Sequence, residues 1–87
     1  MQTNTESVAH IVAEIGRTLG YPAEGIPTQI DEKRTAKVLG IQISTLRNWR
    51  TSGRYALPYV KVGRLVRYRV ADLAAWIARR RRTGAAG

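Results

Sequence analysis

Gly40-Ile41-Gln42-Ile43-Ser44-Thr45-Leu46-Arg47-Asn48-Trp49-Arg50 is the stretch on which the fold turns. Gly40 suits a left-handed backbone, so it can close a short helix ending at Leu39. A tight turn follows, and the spacing predicts a second helix from about Ile43 to Ser52. On that helix Leu46 and Trp49 are three apart, so they share one face and can pack on the first helix. Ser44, Arg47 and Asn48 fall on another face, with donors and acceptors suited to a major groove. The pattern is a helix-turn-helix whose second helix is the reading element.

The flanks extend this reading. Upstream, Asp31 is a good N-cap and Glu32 suits the positive end of a helix over Glu32–Leu39. Thr35, Ala36, Val38 and Leu39 face inward. Lys33, Arg34 and Lys37 face outward, either toward a phosphate backbone or simply as solvated surface. Asp31 and Glu32 are adjacent and diverge on a helix, so they read as a cap rather than a catalytic carboxylate pair. Downstream, Gly53 ends the second helix within Thr51-Ser52-Gly53-Arg54, and Tyr55-Ala56-Leu57-Pro58 is a loop. Tyr59-Val60-Lys61-Val62 and Leu65-Val66-Arg67-Tyr68-Arg69 both alternate with period two and are joined by Gly63-Arg64, which predicts a β-hairpin. Its polar face and tip are expected to carry Lys61, Arg64, Arg67 and Arg69. Four cations on a thin ribbon repel one another and invite an anion, which a minor groove supplies; the alternative is an exposed basic hairpin with no ligand. Val70 to about Arg82 reads as a last helix, with Asp72 in its first turn and Leu73, Trp76 and Ile77 as an apolar stripe. Arg79 to Arg82 contact phosphate, act as an arginine-rich RNA segment, or form a solvated helix end. Residues 83–87 are expected to fray.

At the other end, Thr3 to Gly20 reads as an amphipathic helix. Thr3 and Glu6 form a capping box, and Val8, Ile11, Val12, Ile15 and Leu19 follow helical spacing. Gly20 is placed to close the helix, Pro22 blocks its continuation, and Gly16 is placed for a close approach by another segment. The apolar stripe docks on its own domain or on another chain, the former being favoured because small domains need core. Tyr21 to Gln29 is a connector broken by Pro22, Gly25 and Pro27.

Composition bounds the function. Eighty-seven residues allow one small domain. The absence of cysteine excludes a disulfide framework and thiolate metal sites and fits a reducing cytoplasm; a single His argues against a zinc site. The longest uncharged apolar stretch, Leu73 to Ala78, is far short of the roughly 20 residues a bilayer needs, and the start of the chain reads as no signal peptide. The net charge is +9 and lopsided: residues 1–30 hold one basic and three acidic side chains, residues 31–87 fourteen basic and three acidic. A basic block that coincides with the motif argues for a polyanion partner. No phosphate-cradling GxxxxGK[ST], GxGxxG or nucleophile elbow occurs, so nothing supports an enzyme or a cofactor.

Asp31 to about Arg79 resembles the excisionase- and AlpA-type, MerR-like winged helix-turn-helix domain of phage and mobile-element proteins. The resemblance rests on Ala36, Leu39-Gly40, Thr45-Leu46-Arg47-Asn48-Trp49-Arg50, Gly53-Arg54, Leu57-Pro58-Tyr59-Val60-Lys61-Val62-Gly63-Arg64, Val66-Arg67-Tyr68-Arg69, Asp72-Leu73 and Trp76-Ile77. It implies a mainly α fold with a small β-hairpin, here preceded by an extra N-terminal helix. The expected division is 1–29 for helix and connector, 30–82 for the DNA-binding domain and 83–87 for the tail. The resemblance also implies major-groove readers at Gln42, Ser44, Thr45, Arg47, Asn48 and Arg50, and wing contacts at Lys61, Arg64, Arg67 and Arg69. Phosphate contacts are expected at Lys33, Arg34, Lys37 and Arg54, and core positions at Leu46, Trp49, Tyr68, Leu73 and Trp76. Two positions depart from the family pattern. Gln42 stands where Ser or Thr caps the helix, so helix entry differs or Gln42 is itself a base reader. Ile43 replaces a residue that is commonly polar, and either touches a thymine methyl or is buried in the turn.

The expected function is sequence-specific binding of double-stranded DNA. The favoured form is an excisionase that binds and bends attachment-site repeats and directs an integrase or recombinase toward excision, in the cytoplasm at the nucleoid, with side-by-side or N-terminal-helix-mediated self-association. The alternatives are a transcription regulator using the same domain at a promoter, and an interaction module that recruits a protein partner through the N-terminal helix.

Overall fold

Four helices and a three-stranded sheet form because the chain offers four amphipathic stripes and one hairpin that must all bury apolar faces. The structure is a computed structural model and describes residues 4–81. In chain order the elements are α1 (Asn4–Leu19), a 3-10 turn at Ala23–Gly25, β1 (Gln29–Asp31), α2 (Glu32–Leu39) and α3 (Ile43–Ser52). A second 3-10 turn at Arg54–Ala56 follows, then β2 (Val60–Val62), β3 (Leu65–Arg69) and α4 (Val70–Arg80). The mainly helical fold with a winged helix-turn-helix and an added N-terminal helix is as the sequence predicts. The capping box expected at Thr3, the arginine at position 82 and the tail fall outside the described residues.

Helix α1 docks on its own domain. Ile11 and Ile15 are each 2% exposed and belong to the same core as Leu46, Tyr68, Leu73 and Trp76. Val8, Val12 and Leu19 pack against its edge, and the main partner of α1 is α4. The helix closes at Gly20 (φ 84°): its N–H donates to the Arg17 carbonyl and that of Tyr21 to the Gly16 carbonyl, which satisfies carbonyls the helix end leaves open. The connector then folds back over Gly16. A Cβ there would stand 2.6 Å from Ile26 Cδ1, so the glycine is what admits Ile26 to the helix surface.

The connector does not stay irregular as far as Gln29. Gln29–Asp31 pairs antiparallel with β3, Ile30 opposite Tyr68 and both buried, so the sheet has the order β1-β3-β2 and the hairpin is only two-thirds of it. Three residues after a proline carry no readable period; β1 exists because β3 offers an edge and Ile30 needs cover. Asp31 ends the strand and caps α2 as predicted, accepting the Arg34 backbone N–H at 2.8 Å. Thr35 and Ala36 are buried, and Gly40 (φ 71°) closes α2 with the same bond pair seen at Gly20. At the entry of α3, Gln42 makes no side-chain cap bond, and Ile43 is half-buried against the core.

The hairpin register corrects one expectation. Val60 lies opposite Arg67, Lys61 opposite Val66 and Val62 opposite Leu65. Directly paired residues share a face. Arg67 and Arg69 therefore share their face with Val60, Val62 and Leu65, while Lys61 is on the face of Val66 and Tyr68. The four cations do not form one polar face, because a two-residue turn fixes which residues meet across the strands. Gly63 (φ 60°) occupies the first turn position, where a Gly-X turn needs positive φ.

Candidate nucleic-acid interface

Helix α3 buries Leu46 (1% exposed) and sets Trp49 against two other aromatic rings, Tyr55 at 4.7 Å edge-on and Trp76 at 6.2 Å. That packing fixes the rotation of the helix and turns Ser44, Arg47 and Asn48 to the surface, while Gln42, the extended N-cap residue before the helix, is exposed as well. Ser44, Thr45, Asn48, Trp49 and Arg54 line a shallow open cleft of about 360 Å³. Thr45 is half-buried at its margin.

Arg50 sits otherwise than the sequence reading has it. Its Nε and one terminal nitrogen donate to Glu32 Oε2 at 3.2 and 3.0 Å, and both side chains are about 15% exposed. Its guanidinium also lies 5.9 Å from the Tyr59 ring centre. Burial alone would lower the Arg50 pKa; the hydrogen bond and charge of Glu32 outweigh it and the net shift is upward. Arg50 thus ties α3 to α2 and does not join the outward face. Beside it, the Tyr68 hydroxyl is buried without a hydrogen-bond partner, and burial pushes its pKa up. Arg47 shares the same carboxylate through Nε alone, 3.2 Å from Oε1, and keeps 60% of its side chain in solvent.

The wing carries Lys61, Arg64 and Arg69 exposed, while Arg67 is half-buried with one terminal nitrogen 3.4 Å from the Val66 carbonyl oxygen. At its tip Val62 and Leu65, 68% and 56% exposed, flank Gly63 and Arg64. On α2, Lys33 and Lys37 are exposed, and Arg34 is exposed but engaged with Asp31 at 2.8 Å.

Two features were not legible in the sequence. One is the Glu32 bridge to α3: Glu32 looked like a helix-dipole residue, and its only sequence signal is that Arg47 and Arg50 are three apart. The other is the loop after α3. Tyr55 (φ 65°) and Ala56 (φ 51°) both adopt the left-handed conformation that costs a non-glycine residue roughly 1–2 kcal/mol. The Trp76 indole N–H and an Arg80 terminal nitrogen both donate to the Tyr55 carbonyl, at 2.7 and 2.9 Å, and the Arg80 guanidinium stacks 4.2 Å from the Trp76 ring centre. Arg81 meanwhile reaches Glu14 at 2.9 Å, which holds that exposed carboxyl below its usual range. Two of the terminal arginines are therefore ties within the fold, and Arg79 is exposed.

A family model described as a helix-turn-helix domain matches residues 33–81, over half of the chain. The chain belongs to that family. It is a DNA-binding helix-turn-helix protein, and the match takes in α3, the wing and α4 while leaving out α1, β1 and Glu32. No curated protein and no solved structure matches the chain. Among the described residues no helix is long and apolar enough to cross a membrane, and no group of three His, Asp or Glu side chains is placed to hold a metal ion.

Proposed function

We propose that this helix-turn-helix protein is a sequence-specific double-stranded DNA-binding protein of the excisionase kind. It binds short repeated sites beside an attachment site, bends the duplex with several protomers side by side, and directs an integrase toward excision. The reading rests on the outward face of α3, where Ser44, Arg47 and Asn48 stand clear of the core, with Gln42 exposed at the N-cap and a cationic wing following in the chain. In this proposal Gln42, Ser44, Arg47 and Asn48 read base edges, with Thr45 at the margin. Gln42 is available for that role because it spends no side-chain bond on capping. Lys61, Arg64 and Arg69 hold the adjacent minor groove or backbone, with Arg67 closer to the sheet, and Lys33, Lys37 and Arg54 meet phosphates. The exposed Val62 and Leu65 give the wing an apolar tip of the kind that wedges into a minor groove and favours bending. Residues 30–82 supply the DNA-binding unit, and α1 braces it from behind.

The test is selection of bound duplexes from a random pool, followed by gel shifts on the enriched sequence at several salt concentrations. Enrichment of a short motif with a ladder of successive shifts supports the excisionase reading. One shifted band on a palindrome favours a dimeric promoter regulator instead. Asn48→Ala should lose roughly 1–3 kcal/mol on the selected site and relax the preference at one base. Salt-sensitive binding with no enriched motif refutes sequence-specific recognition.

A further inference from the structure

Among the described residues, Glu32 is the one acidic side chain that ion-pairs with the reading helix, and its two arginine partners are bound unequally. Arg50 gives two N–H groups to one oxygen, is as buried as the carboxylate itself, and stacks near Tyr59. Breaking that half of the bridge would strand a charge away from water. Arg47 gives only its Nε, to the other oxygen, and most of its side chain stays in solvent. Its two terminal nitrogens have no hydrogen-bond partner among the described residues. A guanidinium held at Nε keeps its end-on NH pair available. That pair matches the O6 and N7 acceptors of a guanine edge, the commonest bidentate arginine contact in a major groove. The carboxylate also offsets part of the Arg47 charge, which weakens its attraction to any phosphate without regard to sequence.

We infer that Glu32, on the helix preceding the turn, is a specificity-determining positioning residue: it anchors Arg47 by Nε so that the guanidinium presents its end to a guanine and is held back from phosphates. The inference rests on the reading of α3 as the base-reading element. It goes beyond that reading by assigning a base type to one side chain and an accessory role to a residue outside the matched helix-turn-helix domain.

The experiment compares the wild-type chain with Glu32→Gln, Arg47→Gln and the double variant, on the selected duplex and on a scrambled one, across a salt series. Glu32→Gln keeps the shape and removes the charge. It should reduce discrimination at the guanine position about tenfold. On the scrambled duplex it should tighten binding and steepen the salt slope by up to about one, as Arg47 becomes free to meet a phosphate. In the Arg47→Gln background the same change should alter neither quantity, whereas a purely structural role through Arg50 would act equally in both backgrounds. Unchanged discrimination and salt slope in Glu32→Gln, or an equal effect in both backgrounds, overturns the inference. If Glu32→Gln does not fold, Arg47→Lys serves: it keeps the charge and loses the fork, so discrimination should fall with the salt slope retained. Preserved discrimination in Arg47→Lys overturns the inference as well. If the wild-type chain enriches no motif, the reading of the interface fails first. The slope on scrambled DNA then still reports whether Glu32 restrains Arg47.

Discussion

Truncating the buried face of α1 should unfold the DNA-binding unit rather than leave it intact. Ile11 and Ile15 are one helical turn apart and each is 2% exposed, in one core with Leu46, Leu73, Ala74 and Trp76. Replacing either by Ala removes three buried carbons and leaves a cavity, at a cost of about 2–5 kcal/mol. A chain of this length has a total stability of roughly 4–13 kcal/mol. Ile15→Ala alone should therefore remove at least about a seventh of the stability, and most of it if the total lies at the lower end of that range. Ile11→Ala with Ile15→Ala should remove most of it, less than additively because the two sites share a cavity wall. The assay is urea denaturation followed by the fluorescence of Trp49 and Trp76, which sit on α3 and α4 with their ring centres 6.2 Å apart. Since α1 carries no tryptophan, a shift of that midpoint reports that the other helices feel its loss. Deletion of residues 1–27 should give a chain with no cooperative transition and no sequence-specific DNA binding. If the deletion variant keeps the wild-type midpoint and DNA affinity, α1 is an appendage and the single-core reasoning is wrong.

The two arginines on Glu32 should separate cleanly. Arg50→Ala leaves a mostly buried carboxylate short of its principal partner and should cost about 3–5 kcal/mol of stability, whereas Arg47→Ala should cost no more than about 1 kcal/mol because that pair is exposed; equal midpoints in denaturant would refute the assignment of Arg50 as a tie. Arg64→Ala should leave the fold unchanged, weaken binding to all duplexes alike and lower the salt slope by about one; unchanged affinity would remove the wing from the interface. Ala56→Gly should raise stability by about 0.5–1 kcal/mol, the relief of a left-handed alanine exceeding the added freedom of glycine in the unfolded chain; a lower midpoint would mean that the loop is not strained.

Sequence alone determined the elements whose signal is local. Gly20, Gly40 and Gly53 each stand at positive φ where a helix stops, because a residue without Cβ is the cheapest way to satisfy the last carbonyls of a helix. Asp31 caps α2 for an equally local reason. The stripes of α1 and α4 and the alternation of β3 are repeated over enough residues to be read as periods. The face of α3 that turns outward also followed from spacing, since Leu46 and Trp49 had to be inward. What only the tertiary structure decided depends on residues distant in the chain. Strand β1 is three residues long and is created by the edge of β3, about forty residues later. The face occupied by Lys61 was set by the hairpin register, which a period-two pattern in each strand separately leaves open. Arg47 and Arg50 looked alike in the sequence, and became a half-free and a buried arginine only when α2 brought Glu32 against α3. The strained turn at Tyr55 and Ala56 is held by Trp76 and Arg80 of the last helix. Local signals are written in neighbouring residues because capping and periodicity act within a few residues. Charge pairing, strand register and strain relief act through space, and the fold must exist before they can be read.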